Sequence, residues 1–284
     1  MESEIQEISA KHIDLEKILK AKRVKVPKFV IRFLEHLLHV KEINRGIYLN
    51  RDKFGLDFVR AFIEGKESHN LGMTIETVGL ENIPTEGTPI VCSNHPLGGP
   101  DGIALMDAVG RVREDIKFPV NDFLLYIPGL KGLFYPIDKV NRNKSLATVE
   151  EAFAGQNILL YYPAGLCSRL QKGEVRDLEW KATFIKKAVK YHRDIVPTFT
   201  EARNRMRFYR LANIRKKLGI KFNFEMALLP AEMFAQRGKG MKITFGRPIP
   251  WQTFDQRHTA YEWAQMVKDH VYRLQSNPQA QFQE

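Results

Sequence analysis

Cysteine is scarce. The chain has two, Cys92 and Cys167, too few for a disulfide-stapled scaffold, and both read as reduced thiols in a reducing compartment. Cys92 lies in an apolar run and reads as a small core residue. No basic or acidic arrangement marks Cys167 as a thiolate. Long apolar runs are missing too. No stretch approaches the roughly 20 apolar residues that a membrane-crossing helix requires. The acidic start Met1-Glu2-Ser3-Glu4 leads into no apolar segment of the kind that makes a signal peptide. Contact with lipid is therefore expected from one side only. The eight histidines are scattered without metal-ligand spacing, and no metal site is expected. No internal repeat and no low-complexity linker divide the chain.

What is present is apolar mass and positive charge. Of 284 residues, 44% are hydrophobic, enough for one sizeable core with a helical extension. The net charge of +11 favours anionic partners: phospholipid head groups, nucleic acid, an acidic carrier protein or coenzyme A. Residues 1–70 read as a helical N-terminal extension. Lys22, Arg23, Lys25 and Lys28 precede Phe29, Val30, Phe33, Leu34, Leu37 and Leu38. That stripe serves either packing on the domain or an interfacial helix with its lysines on head groups. A second helix over 52–64 carries Phe54, Phe58, Val59 and Phe62 as expected core residues.

From Met73 the rhythm changes. Strands are predicted over 73–78, 90–93, 158–162, 195–200 and 241–245, with helices over 103–109, 146–153 and 180–191 between them. This alternation indicates an α/β layer, a mainly parallel or mixed sheet flanked by helices, over residues 71–275. A last helix over 259–274 aligns Ala264, Val267, Val271 and Leu274. Residues 276–284 read as a polar, frayed tail.

One segment carries chemistry. Ser93-Asn94-His95-Pro96-Leu97-Gly98-Gly99-Pro100-Asp101-Gly102 follows the apolar run Pro89-Ile90-Val91-Cys92 and precedes a helical run. A strand-to-helix corner of this kind can set a histidine base beside the carboxylate that fixes its tautomer. The same residues also suit a tight turn at Gly98 and Gly99 with Asp101 as a helix N-cap.

Asn94 to Gly102 resembles the catalytic block of the glycerolipid acyltransferase superfamily, and more closely its hemolysin-like branch, which includes bacterial ornithine and glycine N-acyltransferases. Three further blocks follow in the family's order: Gly132-Leu133-Phe134-Tyr135-Pro136-Ile137-Asp138, Tyr161-Tyr162-Pro163-Ala164-Gly165-Leu166-Cys167-Ser168-Arg169, and Ile195-Val196-Pro197-Thr198-Phe199-Thr200. The resemblance spans about Thr74 to Pro250. It implies a glycerolipid-acyltransferase-like fold in which His95 is the general base and Asp101 orients it. The acyl donor would be acyl-ACP (acyl carrier protein) or acyl-CoA, with direct thiol release and no metal or redox cofactor.

Two departures shape the expected acceptor. Five residues separate His95 from Asp101 where the commonest family pattern has four; the hemolysin-like branch shares the longer loop. Ala164 stands where glycerophosphate acyltransferases usually carry glutamate. Arg169 reads either as an exposed loop arginine or as a bidentate grip on a phosphate or carboxylate. Gly132, Gly165, Ser168, Arg169 and Asn204 form the candidate substrate-binding set, although Gly132 and Asn204 suit a turn or a cap equally well. Trp180, in Asp177-Leu178-Glu179-Trp180-Lys181, reads as a core anchor or a lid. The arginines among aromatic residues over 201–210, with Arg215, Lys216, Lys217 and Lys221 beyond, suit a phosphate-tracking nucleic-acid patch with stacking rings, an acidic carrier helix, anionic lipid or a solvated face. The implied activity is acylation of an amino acid amine, glycine or ornithine, in membrane lipid synthesis. A lysophospholipid O-acyltransferase is the first alternative, and a non-catalytic basic protein on membranes or nucleic acid the second. The expected setting is cytoplasmic, peripheral on the inner face of the cell membrane, with no nucleic acid partner.

Overall fold

The computed structural model describes residues 13–21, 26–121, 127–137 and 142–283. Lys22, Arg23 and Lys25 of the expected basic helix start, and Asp138 of the second block, lie outside these ranges.

The frame is a seven-stranded sheet in the order β1-β9-β8-β2-β5-β3-β4. Its centre is β2 (Ile90–Ser93), β5 (Ile158–Tyr161) and β8 (Ile195–Glu201), which pair in parallel. These strands are near-continuous apolar runs because both of their faces are covered. At one edge lie β3 (Ile116–Asn121) and β4 (Phe134–Ile137), parallel to β5 and to each other. At the other, β9 (Gly240–Phe245) runs antiparallel to β8 and parallel to β1 (Thr74–Val78). The sheet is thus mixed and mainly parallel, as the alternation of strands and helices predicts. A two-stranded hairpin, β6 (Arg169–Gln171) and β7 (Glu174–Arg176), stands apart from it.

The period of two along each strand divides the core into two layers. Val91, Ile158, Leu160 and Val196 face one side, where α5 (Pro100–Gly110) and α4 (Gly55–Glu64) pack. Ile90, Cys92, Leu159 and Ile195 face the other, under α6 (Arg142–Ala154), α7 (Thr183–Tyr191) and α10 (Ala260–Arg273). All residues of α5 are buried, which is why that helix shows apolar content without an amphipathic stripe. It begins earlier than its apolar run because Pro100 needs no N–H partner in a first turn.

Before the sheet come α1 (Leu15–Ala21), α2 (Lys28–Leu37) and α3 (Val40–Leu49), with a small cluster of Ile13, Val40 and Ile47. In α4, Phe58, Val59 and Ile63 enter the main core, but Phe54 precedes the helix and is 60% exposed, so it is not the core residue expected. On α2, Phe29 and Phe33 face solvent while Ile31 is buried. The C-terminal segment is docked rather than frayed: Phe282 packs on Phe254, Trp263 and His270. Between them run α8 (Met206–Lys217) and the short α9 (Leu229–Phe234).

Candidate active site

The corner after β2 is built by side chains that continue the sheet's pairing. Asn94 is buried; its Nδ2 donates to Thr200 O at 3.0 Å and its Oδ1 accepts from Thr200 N–H at 2.7 Å. The amide imitates one more rung between β2 and β8, so His95 leaves the strand at a fixed height. The His95 N–H points to the Asp177 carboxylate, at 3.2 Å from Oδ1. The His95 carbonyl accepts from Ser168 N–H at 2.7 Å.

The side chain then meets Asp101, with 2.8 Å between Nδ1 and Oδ2. Asp101 is not the helix cap: Gly99 holds that position, and Asp101 lies in the first turn with its carboxylate turned back over the loop. There it accepts from Leu97 N–H at 3.1 Å, Gly99 N–H at 3.0 Å and Gly102 N–H at 3.1 Å. Burial opposes the charge, but His95 and these N–H groups outweigh it and hold the carboxyl below its ordinary range. The helix N-terminus adds in the same direction. For His95, burial works against protonation, yet Asp101 and then Asp177 prevail and the imidazole lies above its ordinary value. Nε2 has no hydrogen-bond partner among the described residues, and the side chain is 17% exposed. The ring stacks on Tyr162 at 4.0 Å between centroids, and Phe118 meets Tyr162 edge-on. Burial pushes the Tyr162 phenol far up, and its oxygen has no hydrogen-bond partner among the described residues. Tyr162 therefore serves as an apolar platform.

Asp177 joins three parts of the site. Besides His95 it accepts from Ser168 Oγ at 2.6 Å and from Trp180 Nε1 at 2.9 Å. Burial raises its carboxyl despite these donors. Trp180 is fully buried and is the core anchor of this block.

Of the substrate-binding candidates, Ser168 and Asn204 touch the histidine loop through its backbone. Asn204 is buried, and its Nδ2 lies 3.4 Å from Pro96 O and 3.3 Å from Leu97 O. Gly165 closes the turn after β5, its N–H on Tyr162 O at 3.0 Å. Arg169 is neither an exposed loop arginine nor an open anion grip. It is buried, donates to Cys167 O at 2.7 Å and pairs with buried Glu225 at 3.2 Å. Gly132 is removed from the corner. It lies two residues before β4, and β4 lies three places from β2 in the sheet. Phe134 is level with Phe118, Lys117 with Leu159, and Leu159 with Ile90. Gly132 thus stands at the N-terminal end of the parallel strands, and His95 leaves their C-terminal end. Strand spacing and rise put them on the order of 20 Å apart.

Both cysteines are buried and free. Burial pushes the Cys167 thiol up to about 11, so it supplies no nucleophile near neutral pH. Among the described residues no group of three His, Cys, Asp or Glu side chains is placed to hold a metal ion, and no helix is long and apolar enough to cross a membrane. The residues that sequence reasoning passed over are Asn94, Tyr162 and Asp177. Asn94 and Tyr162 carried a signal in their positions beside His95 and within the third block. Asp177 carried a signal only in its place at the head of the block Asp177-Leu178-Glu179-Trp180-Lys181; its contact with the His95 N–H spans 82 residues and has no local sign.

A base held by a carboxylate, with its other nitrogen open, suits removal of a proton from an acceptor. A family model described as "Acyltransferase" matches residues 15–281. A lyso-glycine lipid O-acyltransferase of Phocaeicola vulgatus is 46% identical over 269 residues, covering 92% of this chain and 95% of the relative. A protein of the same name from Bacteroides thetaiotaomicron is 45% identical over 269 residues, covering 92% and 97%. Among solved structures, the 1-acyl-sn-glycerophosphate (LPA) acyltransferase PlsC of Thermotoga maritima superimposes with a TM-score of 0.49 at 16% identity, over 90% of this chain and 91% of that one. The resemblance carried by four sequence blocks is therefore membership: this chain belongs to the acyltransferase family.

Proposed function

We propose that the enzyme moves a fatty acyl group from acyl-ACP or acyl-CoA to an amino-acid-derived lipid, and that the acceptor is a lyso-glycine lipid. Glycine is one of the two amino acids expected from the sequence, and it is the one in the relatives' printed activity. That name also specifies oxygen as the acylated atom, so the accepting group in this reading is a hydroxyl. A lysophosphatidate acceptor is not favoured: Ala164 replaces the usual glutamate, and Arg169 is committed to Glu225.

His95 Nε2 takes the acceptor proton as oxygen attacks the thioester carbonyl. The tetrahedral intermediate collapses, the C–S bond breaks, and the imidazolium returns the proton to the departing thiolate, leaving ester and thiol. Asp101 holds Nδ1–H and steadies the imidazolium. The reaction calls on no covalent acyl-enzyme and no redox group. The setting is the inner face of the cell membrane, on anionic lipid.

The observation that carries this reading is the 2.8 Å contact between His95 and Asp101 with Nε2 left open. The test is thiol release from a long-chain acyl thioester with lyso-glycine lipid, free glycine, free ornithine or lysophosphatidate as acceptor. The expected result is release stimulated by lyso-glycine lipid, with an alkali-labile ester as product. An alkali-stable amide formed on a free amine overturns the oxygen assignment. His95→Ala is expected to lower kcat/KM by roughly 100- to 10,000-fold; full activity in that variant removes His95 from the mechanism.

A further inference from the structure

The helix α8 ends in a tight stop. Gly219 adopts φ +70, its N–H donates to Lys216 O at 3.1 Å, and Ile220 N–H donates to Arg215 O at 3.1 Å. This is the paired closure of a Schellman motif, for which glycine supplies the left-handed residue. The loop beyond is pinned. Arg215 Nη1 donates to Ile220 O at 2.7 Å, and Arg215 Nε faces Glu225 Oε2 at 2.8 Å. Glu225 is fully buried and takes Arg169 on its other oxygen. Arg169 adjoins Ser168, whose N–H holds the His95 carbonyl. The tip is therefore tied to the block that carries the base.

On this fixed tip four apolar side chains stand in solvent: Ile214 at 54%, Leu218 at 66%, Ile220 at 41% and Phe222 at 77% exposure. Lys216, Lys217 and Lys221 are exposed among them, and no acidic residue lies between Leu211 and Phe222. We infer that residues 214–222 form a docking tip for an anionic bilayer, with Phe222 and Leu218 entering the acyl boundary and the three lysines on head groups. The inference rests on the lipid-acceptor reading above and names the part of the surface that meets the lipid. Lysines alone would suffice for an acidic protein. A largely exposed phenylalanine on a pinned loop among them fits a surface that is charged outside and apolar within.

The test is co-sedimentation of the full chain with phosphatidylcholine vesicles, with and without phosphatidylglycerol. Wild type is expected to bind the anionic vesicles. Leu218→Ser with Phe222→Ser is expected to weaken binding roughly tenfold or more. Each of Lys216→Gln, Lys217→Gln and Lys221→Gln is expected to cost about fivefold at low salt. Should the serine pair disturb folding, Phe222→Trp reads the contact directly: its added emission shifts to the blue and is quenched by brominated acyl chains on anionic vesicles. Unchanged sedimentation of the serine pair, or an indole at position 222 untouched by brominated lipid, overturns the inference. So does loss of acyl carrier protein binding in the lysine variants with vesicle binding intact, which makes the tip a carrier dock. Turnover of a short-chain, water-dispersed lyso-glycine lipid is expected to be equal in wild type and the serine pair. Absence of turnover in wild type fails the activity reading and leaves the vesicle result standing on its own.

Discussion

Asp101 accepts four hydrogen bonds, one from His95 and three from backbone N–H groups of its own loop. One carboxylate thus shapes the loop and orients the His95 ring. Its charge also sets the proton affinity of the ring, since burial by itself would pull the imidazole down and Asp101 followed by Asp177 push it above its ordinary value. A base must be neutral to act, so the proposed mechanism has kcat/KM rise with pH through an inflection above the ordinary imidazole value. Asp101→Asn removes the larger raising charge and leaves burial in place. The inflection is then expected to move to lower pH, and the plateau to fall by roughly 100-fold or more through loss of the correct tautomer. An unmoved inflection in Asp101→Asn would show that His95 is not the group titrating.

The loop between β2 and α5 is where an element constrains the chemistry. Gly98 sits at φ +84, and a Cβ there would meet Leu229 Cδ1 at 2.8 Å and Cys167 Cβ at 3.3 Å. Gly98→Ala therefore strains the backbone and shifts the loop against α9, moving Asp101 off Nδ1. Activity is expected to drop on the order of 100-fold, since small misplacements of reacting groups weigh heavily, with a much smaller change in melting temperature. Gly98→Ala combined with Leu229→Ala is expected to recover part of that loss, because only the steric share is relieved. No recovery would assign the whole effect to φ. The same loop shows what sequence can and cannot disclose. The His95-to-Asp101 spacing, β2, β5 and β8 were legible because each is a local pattern of apolar and turn-forming residues. The strands β3 and β4 were not, since Pro119 and Pro136 interrupt them. Structurally each proline has its place: β3 stops pairing with β5 at Lys117, before Pro119, and β4 is the edge strand. The contact of Asp177 with the His95 N–H spans 82 residues, so no local window contains it. Arg169 was misplaced for the same reason: its partner Glu225 is 56 residues away.

At the scale of the whole molecule, the second core layer is sealed by the C-terminal segment, and the seal encloses a histidine. His270 on α10 is fully buried against the edge of Phe282, and neither ring nitrogen has a hydrogen-bond partner among the described residues. Burial first, and then the Arg273 charge, lower its proton affinity to about 4. The unfolded chain carries an ordinary imidazole, so below its value of 6.5 the unfolded state binds the proton that the folded state refuses. Stability from this group is therefore complete above that value and is lost as pH falls towards 4, by at most about 3 kcal/mol. His270→Leu removes the titration and two unsatisfied polar atoms together. Urea unfolding of the variant is expected to give stability at pH 7 equal to or above wild type, and a smaller decline between pH 6.5 and 4. A truncation that deletes Phe282 opens the cover and is expected to bring the imidazole back towards its ordinary range, which flattens the same part of the profile while lowering stability at neutral pH. If His270→Leu declines with acid as steeply as wild type, the proton uptake that drives acid unfolding belongs to other groups, and the docked segment has no part in it.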